Sequence, residues 1–444
     1  MQTARTLVLN EGQTLASEGF FDFLLGPEKE LNISGPGGVG KTFLMGHLID
    51  EVMPRYYDTC QLMGVDPEFD NIHMTATTNK AAEVLGKQTG RPTSTVHAFF
   101  GLKVFDDYTT GESKVEKSRS WQVHHRIILF IDEASMIDSQ LYALIQEGTM
   151  NCKIVYLGDK NQMAPVKETL SPVYKKPSIP MFQLLEPMRT SIPELQALNA
   201  QCRATVESGE FTGICEFKPI VEVPGIIDFI DGDQFMAEIE AGFKEAHHDN
   251  VILAYTNARV IEYNSHIRDL RGLPPVFTLG EELVSNTAAQ FGKHALRIED
   301  EVEIVRIDDT PHIVMVAGEV EMQALHATIR NAYGDEIRIR LPVDRTHYDQ
   351  LVNYYRRAKN WHAYYDLKNS YPDLRQKDAR TVYKIQGSSV SGTVYIDADN
   401  LNKCHNPAQA ARLIYVAVSR ARKRVAIYGS LALKYGGMQF AARG

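Results

Sequence analysis

Cysteine and tryptophan are scarce in this chain of 444 residues, at five and two. The five cysteines, Cys60, Cys152, Cys202, Cys215 and Cys404, stand far apart with no C-x-x-C pair. That spacing argues against a structural zinc site, and the odd count points to reduced thiols in a cytoplasm-like compartment. Long apolar runs are missing as well, and none approaches the ~18–20 residues of a membrane span. The N-terminus has no basic stretch followed by an apolar block, the mark of a secretory signal. A cytoplasmic location away from membranes is the expectation. No tract is of low complexity, and no segment repeats at a solenoid period. What remains is ordinary globular composition in a chain long enough for two to four domains.

An excess of basic residues is also lacking, since the formal net charge is −9. The charge is unevenly spread, however. From Arg330 to Arg424 there are 18 Lys and Arg against 9 Asp and Glu, a balance of +9 that leaves −18 for the remainder. A basic third on an acidic chain fits a polyanion-facing surface. It fits a solvated face equally well.

The most informative stretch is Gly35-Pro36-Gly37-Gly38-Val39-Gly40-Lys41-Thr42. It has the form G-x-x-x-x-G-K-[ST], in which glycines let backbone N–H groups turn inward around phosphate oxygens. Lys41 is placed to reach the β- and γ-phosphates, and the Thr42 hydroxyl to hold Mg²⁺. Leu31–Ser34 reads as a buried strand before the loop. Phe43–Ile49 reads as a helix after it, with its positive end toward the anion. A chance glycine-rich turn would not carry both flanks. Upstream, Gln13 offers an amide suited to the edge of adenine, or is a surface helix residue.

The pattern continues in strand–helix rhythm. Asn71–Ala76 reads as a strand, followed by Thr77-Thr78-Asn79-Lys80 and a helix from Ala81. Those small polar residues can bind phosphate or simply cap the helix. Thr95, His97 and Phe99 follow, with Phe99 suited to base stacking or to core packing. Gly101–Trp121 is polar and turn-rich and reads as an inserted β-hairpin or loop. Ile127–Ile131 then runs into Asp132-Glu133, a buried parallel strand delivering two carboxylates to its C-terminal edge. Asp132 is the candidate for the Mg²⁺ shell, and Glu133 for positioning and polarising an attacking water. Lys153–Gly158 is another strand, leading to Asp159 and Gln162, with Gln162 a candidate contact to the γ-phosphate or the water. Arg189 follows the apolar Leu184-Leu185 and is a candidate arginine finger. Ser191–Glu194 fits a capping box opening a helix to about Ser208.

A second series starts with the strand Val251–Ala254, the polar tip Tyr255-Thr256-Asn257 and a helix from Ala258 to Arg271. Between Pro274 and Asp378 the rhythm gives way to a β-rich insert with strands expected at Arg297–Asp308, Ile313–Val316 and Glu336–Val343. A helix from Tyr348 to Lys368 follows, rich in aromatic and basic side chains. It fits a nucleic-acid surface or an amphipathic brace. The rhythm returns with Thr381–Ser389, the strand Thr393–Ile396, a helix opened by Asn406 and Pro407, and Tyr415–Arg422. Arg420 is the second finger candidate.

Gln13, the P-loop, Thr75–Lys80, Asp132-Glu133, Gly158-Asp159 with Gln162, Thr381–Ser389 and Tyr415–Arg422 occur in one order over nearly the whole chain. This order resembles superfamily 1 helicases. Tyr383-Lys384-Ile385-Gln386-Gly387 and Val416-Ala417-Val418-Ser419-Arg420-Ala421 are similar to motifs V and VI of the RecD and phage Dda-type branch, superfamily 1B. Two positions depart from the branch pattern: Tyr383 stands where His is usual, and Ser419 where Thr is usual. The resemblance implies an α/β fold of two RecA-like P-loop NTPase domains with an inserted 1B β-hairpin and an SH3-like 2B domain. The expected boundaries are 1–185 for domain 1A with the hairpin at about 101–121, 186–272 with 379–444 for domain 2A, and 273–378 for 2B with its helical extension.

It further implies an ATP- and Mg²⁺-dependent DNA helicase moving 5′ to 3′ on single-stranded DNA. The P-loop, Gln13 and Gly387 would bind nucleotide, and Lys41, Asp132, Glu133, Gln162, Arg189 and Arg420 would serve catalysis. Thr77, Thr78, Asn79, Thr95, His97, Phe99, Tyr255, Asn257, Thr381, Lys384 and Ser388 would touch the strand. The implied partners are single-stranded DNA, duplex junctions, and single-strand-binding or replication proteins. The layout suggests a stand-alone monomer, phage-encoded and acting in host cytoplasm, with a place in replication, recombination or repair. The rival readings are a translocase that remodels protein–DNA complexes, an RNA helicase, and a non-hydrolytic scaffold.

Overall fold

The computed structural model describes residues 9–111, 113–165, 168–211, 225–274, 276–292 and 294–435. Cys215 lies outside them. The other four cysteines are free and buried, and among the described residues no helix is long and apolar enough to cross a membrane.

The chain folds as two compact units. The first comprises residues 1–101, 119–231 and 385–444. Its main sheet has six strands in the order Met181–Gln183, Glu30–Ser34, Lys153–Gly158, Ile127–Asp132, Asn71–Ala76 and Thr93–Thr95. All neighbours are parallel. The central strands are apolar runs because both faces are covered: Ile128, Leu129, Phe130, Ile131 and Val155 are fully buried. The helix Glu11–Leu25 seals one face, with the Phe20 ring 5.8 Å from that of Phe130. Parallel strands put every C-terminal end at one edge, so Gly35, Thr77, Glu133 and Asp159 all emerge there.

The helix after the P-loop runs further than the apolar pattern predicts. It passes from α (Lys41–His47) through a π segment (Leu48–Val52) to α again (Met53–Leu62). Three further parallel strands, Ile227–Ile230, Arg424–Tyr428 and Thr393–Asp397, lie in the same unit, with the helices Pro193–Ser208 and Pro407–Val418. Asn406 caps the latter as expected, accepting from Gln409 N. The box expected at Ser191 does not form. Pro193 sits at the first turn, Ile192 takes the cap position without a side-chain bond, and Thr190 Oγ1 accepts from Ile192 N instead.

The second unit comprises residues 102–118 and 232–384. Val251–Ala254 pairs in parallel with Ala379–Thr381 beside the helix Asn257–Leu270. The β-rich insert is an antiparallel sheet of His312–Val316, Val320–Asn331, Glu301–Ile307, Glu282–Ser285 and Leu374–Arg375, with Glu336–Pro342 on the long strand. The single helix expected over Tyr348–Lys368 is two helices, Arg345–Arg357 and Trp361–Ser370. Lys359 takes φ 55° between them, and Asn360 caps the second. Their buried Tyr348, Leu351, Tyr355, Ala363 and Leu367 pack with Met322 and Ala324 of the sheet, which is the brace reading of this segment.

The hairpin Leu102–Asp106/Ser113–Lys117 belongs to this unit. Its tip lies on the second helix. Tyr108 is 5.0 Å from the Tyr365 ring, and a Cβ on Gly111 would stand 2.5 Å from the Trp361 indole. Only glycine allows that approach, and the φ of 75° suits it too.

Candidate nucleotide site

The P-loop is shaped by its neighbours as much as by its own glycines. Gly40, at φ 81°, starts the helix that Lys41 and Thr42 continue. A Cβ on Gly38 would stand 2.2 Å from Arg189 Cβ, and one on Gly40 would stand 2.7 Å from Gln13 Nε2. Val39 is buried. Gly35 N donates to Gly158 O at 3.0 Å, tying the loop to the neighbouring strand. The Lys41 ammonium donates to the carbonyls of Gly35 and Pro36 at 2.7 and 2.9 Å. Burial disfavours its charge, while Asp159, Glu133 and Asp132 favour it. Gln13 is almost fully buried, and its amide donates to Val39 O at 3.3 Å. It faces the loop.

The paired acids behave differently from each other. Burial, then the charge of Glu133, pushes the Asp132 carboxyl up to about 6, against the pull of Lys41. Glu133 sits at φ 54°, in the left-handed region, and its N–H donates to Asp132 Oδ1 at 2.9 Å. Its Oε2 accepts from Gln386 Nε2 at 3.1 Å. Gly387 lies beside it, where a Cβ would stand 3.6 Å from Glu133 Oε1.

Asp159 is buried and accepts from Asn161 N at 3.0 Å and from Tyr415 Oη at 2.7 Å. Gln162 lies within 3.5 Å of Asp159 through its Nε2, while its Oε1 is buried without a hydrogen-bond partner among the described residues.

Both finger candidates come to the loop. A Cβ on Gly37 would stand 3.0 Å from Arg189 Nη1 and 3.5 Å from Arg420 Nη2. Arg189 donates to Ser419 O at 2.7 Å. Arg420 is buried and donates to Val416 O at 3.0 Å, to Ser419 Oγ and to Ser388 O at 3.3 Å. Neither makes an ion pair with a carboxylate among the described residues. Burial, then Arg420 and Arg422, holds the Arg189 guanidinium below its ordinary range, at about 9. Half-buried Arg189 and buried Arg420 hydrogen-bond only to carbonyl and hydroxyl oxygens among the described residues, with the charge of Glu133 acting on both from farther off, an arrangement that suits an anion beside them.

Sequence reasoning missed three residues here. Arg412 donates to Lys160 O and Gln162 O, both at 2.5 Å, holding the loop that carries Gln162. Tyr415 orients Asp159. The Tyr174 hydroxyl is buried without a partner among the described residues; burial most of all, then the charges of Asp159, Glu133 and Asp132, holds its proton on. Arg412 and Tyr415 act through contacts distant in sequence and Tyr174 feels charges distant in sequence, which local pattern does not reveal.

The expected strand contacts divide between the units. Thr77, Thr78, Asn79, Thr95, His97, Phe99 and Ser388 fall in the first, and Tyr255, Asn257, Thr381 and Lys384 in the second. Several already have work in the fold. Thr77 Oγ1 donates to Glu133 O at 3.1 Å, and Thr78 and Thr95 cap helices. The Phe99 ring stacks on His124 at 4.1 Å, and Lys384 pairs with Glu299 at 3.3 Å. Asn257 accepts from Arg375 at 3.1 Å, Thr381 is buried, and Ser388 Oγ is buried without a partner among the described residues.

A phosphate loop, paired acids at a strand end and two arginines over the loop are the parts of a P-loop NTPase. Residues 25–168 match the AAA domain family, and residues 378–428 match the UvrD-like helicase C-terminal domain. The chain is similar to the ATP-dependent DNA helicase dda of Enterobacteria phage T4. They are 24% identical over 455 residues, covering 93% of this chain and 98% of that protein. A solved structure of two coordinating Pif1 helicases at forked duplex DNA superposes with a TM-score of 0.53 at 15% identity, over 98% of this chain and 95% of the other. Pif1 helicase of Candida albicans superposes at 0.49 with 16% identity, over 98% and 97%. The resemblance to superfamily 1B helicases is thus carried by sequence and fold alike.

Proposed function

We propose that this chain is an ATP-dependent DNA helicase that moves 5′ to 3′ on single-stranded DNA and splits duplexes. The observation that carries the reading is the meeting of Lys41, Glu133, Arg189 and Arg420 around one phosphate loop, within one compact unit. ATP would enter with its phosphates under the Gly37–Gly40 backbone and its base toward Gln13. Arg189 and Arg420 would neutralise charge building on the γ-phosphoryl group, and Glu133 would take a proton from the attacking water. The oxygen donors of Thr42 and Asp132 suit Mg²⁺, and a cation there would relieve the burial that holds the Asp132 proton on. That ion would neutralise β- and γ-oxygen charge.

The strand would be seated on the candidate residues by phosphate and stacking contacts. We assign residues 1–185 to domain 1A, 186–272 and 379–444 to 2A, and 273–378 to 2B. The chain would act as a monomer at duplex junctions, alongside single-strand-binding or replication proteins. The hairpin is the wedge. Two paired five-residue strands with a tip braced on Trp361 and Tyr365 favour strand separation over a remodelling translocase.

The test is ATP hydrolysis with single-stranded DNA, with single-stranded RNA and with neither, then unwinding of duplexes with a 5′ or a 3′ tail. Strong stimulation by DNA and unwinding from the 5′ tail alone are expected. Unwinding from the 3′ tail would overturn the direction. RNA preference would overturn the substrate, and indifference to both would overturn the helicase.

A further inference from the structure

Resting on that reading, we propose that Gln386 is a positioning residue for hydrolysis, holding Glu133 with one end of its amide and the attacking water with the other. Gln386 lies in the turn after Lys384, within the stretch whose resemblance points to strand contact. Its Nε2 nevertheless sits 3.1 Å from Glu133 Oε2 and 3.4 Å from Ser135 Oγ. Only the donor end of an amide faces a carboxylate favourably, so the nitrogen belongs there and the oxygen points the other way. That oxygen is buried and has no hydrogen-bond partner among the described residues. A buried amide oxygen left unmet costs free energy, and near a general base the natural donor is water.

The surroundings fix the amide in place. Gly387 turns at φ 81° close beside Glu133. Ser388 O accepts from Arg420, and Val390 N donates to Arg420 O at 2.9 Å, so the turn is pinned to the finger arginine. In the step itself the water oxygen attacks the γ-phosphorus and one water proton passes to Glu133. The other water proton remains in a hydrogen bond to Gln386 Oε1. The bond from the γ-phosphorus to the bridging oxygen breaks, leaving ADP and inorganic phosphate. Gln386 thereby selects one orientation of the water and one rotamer of the base.

The test uses the full chain carrying Gln386→Met, which keeps length and removes both amide ends, beside Gln386→Asn, which keeps the amide but withdraws it. Steady-state ATP turnover is measured with and without single-stranded DNA. The expected result is a fall in kcat of about ten- to a hundred-fold in both conditions. KM for ATP and the DNA concentration giving half-stimulation stay within about two-fold. In a Glu133→Gln background, Gln386→Met should cost less than about two-fold more, because the two residues act as one unit. A change confined to the DNA requirement would make Gln386 a strand contact and overturn the proposal. Full multiplicative loss in the double variant, or kcat within two-fold of wild type for both single variants, would overturn it too. Normal hydrolysis by Lys41→Ala and Glu133→Gln would instead overturn the ATPase reading on which it rests.

Discussion

Buried charge is handled in opposite ways in the second unit and at the phosphate loop of the first. In the second, each buried cation finds a carboxylate. Arg268 meets Glu281, Arg375 meets Asp373, and Arg271 meets Asp378 with both nitrogens, at 3.1 and 2.7 Å. His248 joins the last pair at 2.8 Å. Burial works against the Asp378 carboxylate, yet His248 and Arg271 hold it below its ordinary range. In the first unit, Lys41, Arg189 and Arg420 donate to carbonyl and hydroxyl oxygens alone. Asp132 there is driven toward its neutral form. Matched charge is architecture. At the phosphate loop, unmatched charge is what a bound anion would complete, whereas buried Lys153 of the same unit is satisfied by the carbonyls of Gly26 and Glu28.

Substitution should separate the two kinds of burial. The largest effect is expected at Lys41. Lys41→Ala should cut ATP turnover more than about a thousand-fold while the melting temperature moves by no more than about 3 °C, as read by phosphate release and calorimetry. Arg271→Ala should do the reverse. Stranding the Asp378 carboxylate should cost about 3–5 kcal/mol in a urea titration, with turnover per folded molecule nearly kept. If Arg271→Ala left stability intact, the pair would not be the architectural element described.

The smallest effect is one of pH. The folded Asp132 carboxyl binds its proton more tightly than the unfolded one, so its contribution to stability is full below the ordinary 3.8. It is lost as pH rises through about 6. Asp132→Asn should flatten that slope and leave the nucleotide-free protein more stable at pH 7, by on the order of 2–3 kcal/mol. Urea midpoints of both proteins at pH 4 and pH 7 check this, and parallel slopes would refute it.

How much of this was legible in the sequence depended on range. The P-loop, Asp132-Glu133 and their strands are local patterns, and Asn71–Ala76 and Ile127–Asp132 form over the residues expected. The order of motifs also pointed to Arg189 and Arg420, although nothing local distinguishes either from a surface arginine. The strand Val320–Asn331 went unread although apolar and polar residues alternate along it, interrupted only at Ala324-Leu325, where two buried residues adjoin. The helix break at Lys359 carries no glycine or proline, and only Asn360 signals it. Gln386, Tyr174 and Arg412 were invisible as site residues for a different reason. What they act on lies far off in the sequence: Gln386 bonds Glu133, Arg412 holds Lys160 and Gln162, and Tyr174 feels the charges of Asp159, Glu133 and Asp132.

The left-handed backbone at Glu133 has an evolutionary consequence. A side chain at φ 54° and ψ 40° strains the chain by about 1–3 kcal/mol, and glycine there would relieve it. Mutational drift screened for thermal stability alone should therefore erase the proposed base at position 133 early, producing sturdier proteins expected no longer to turn over ATP. A lineage that keeps glutamate in that conformation carries a record of selection for speed over endurance.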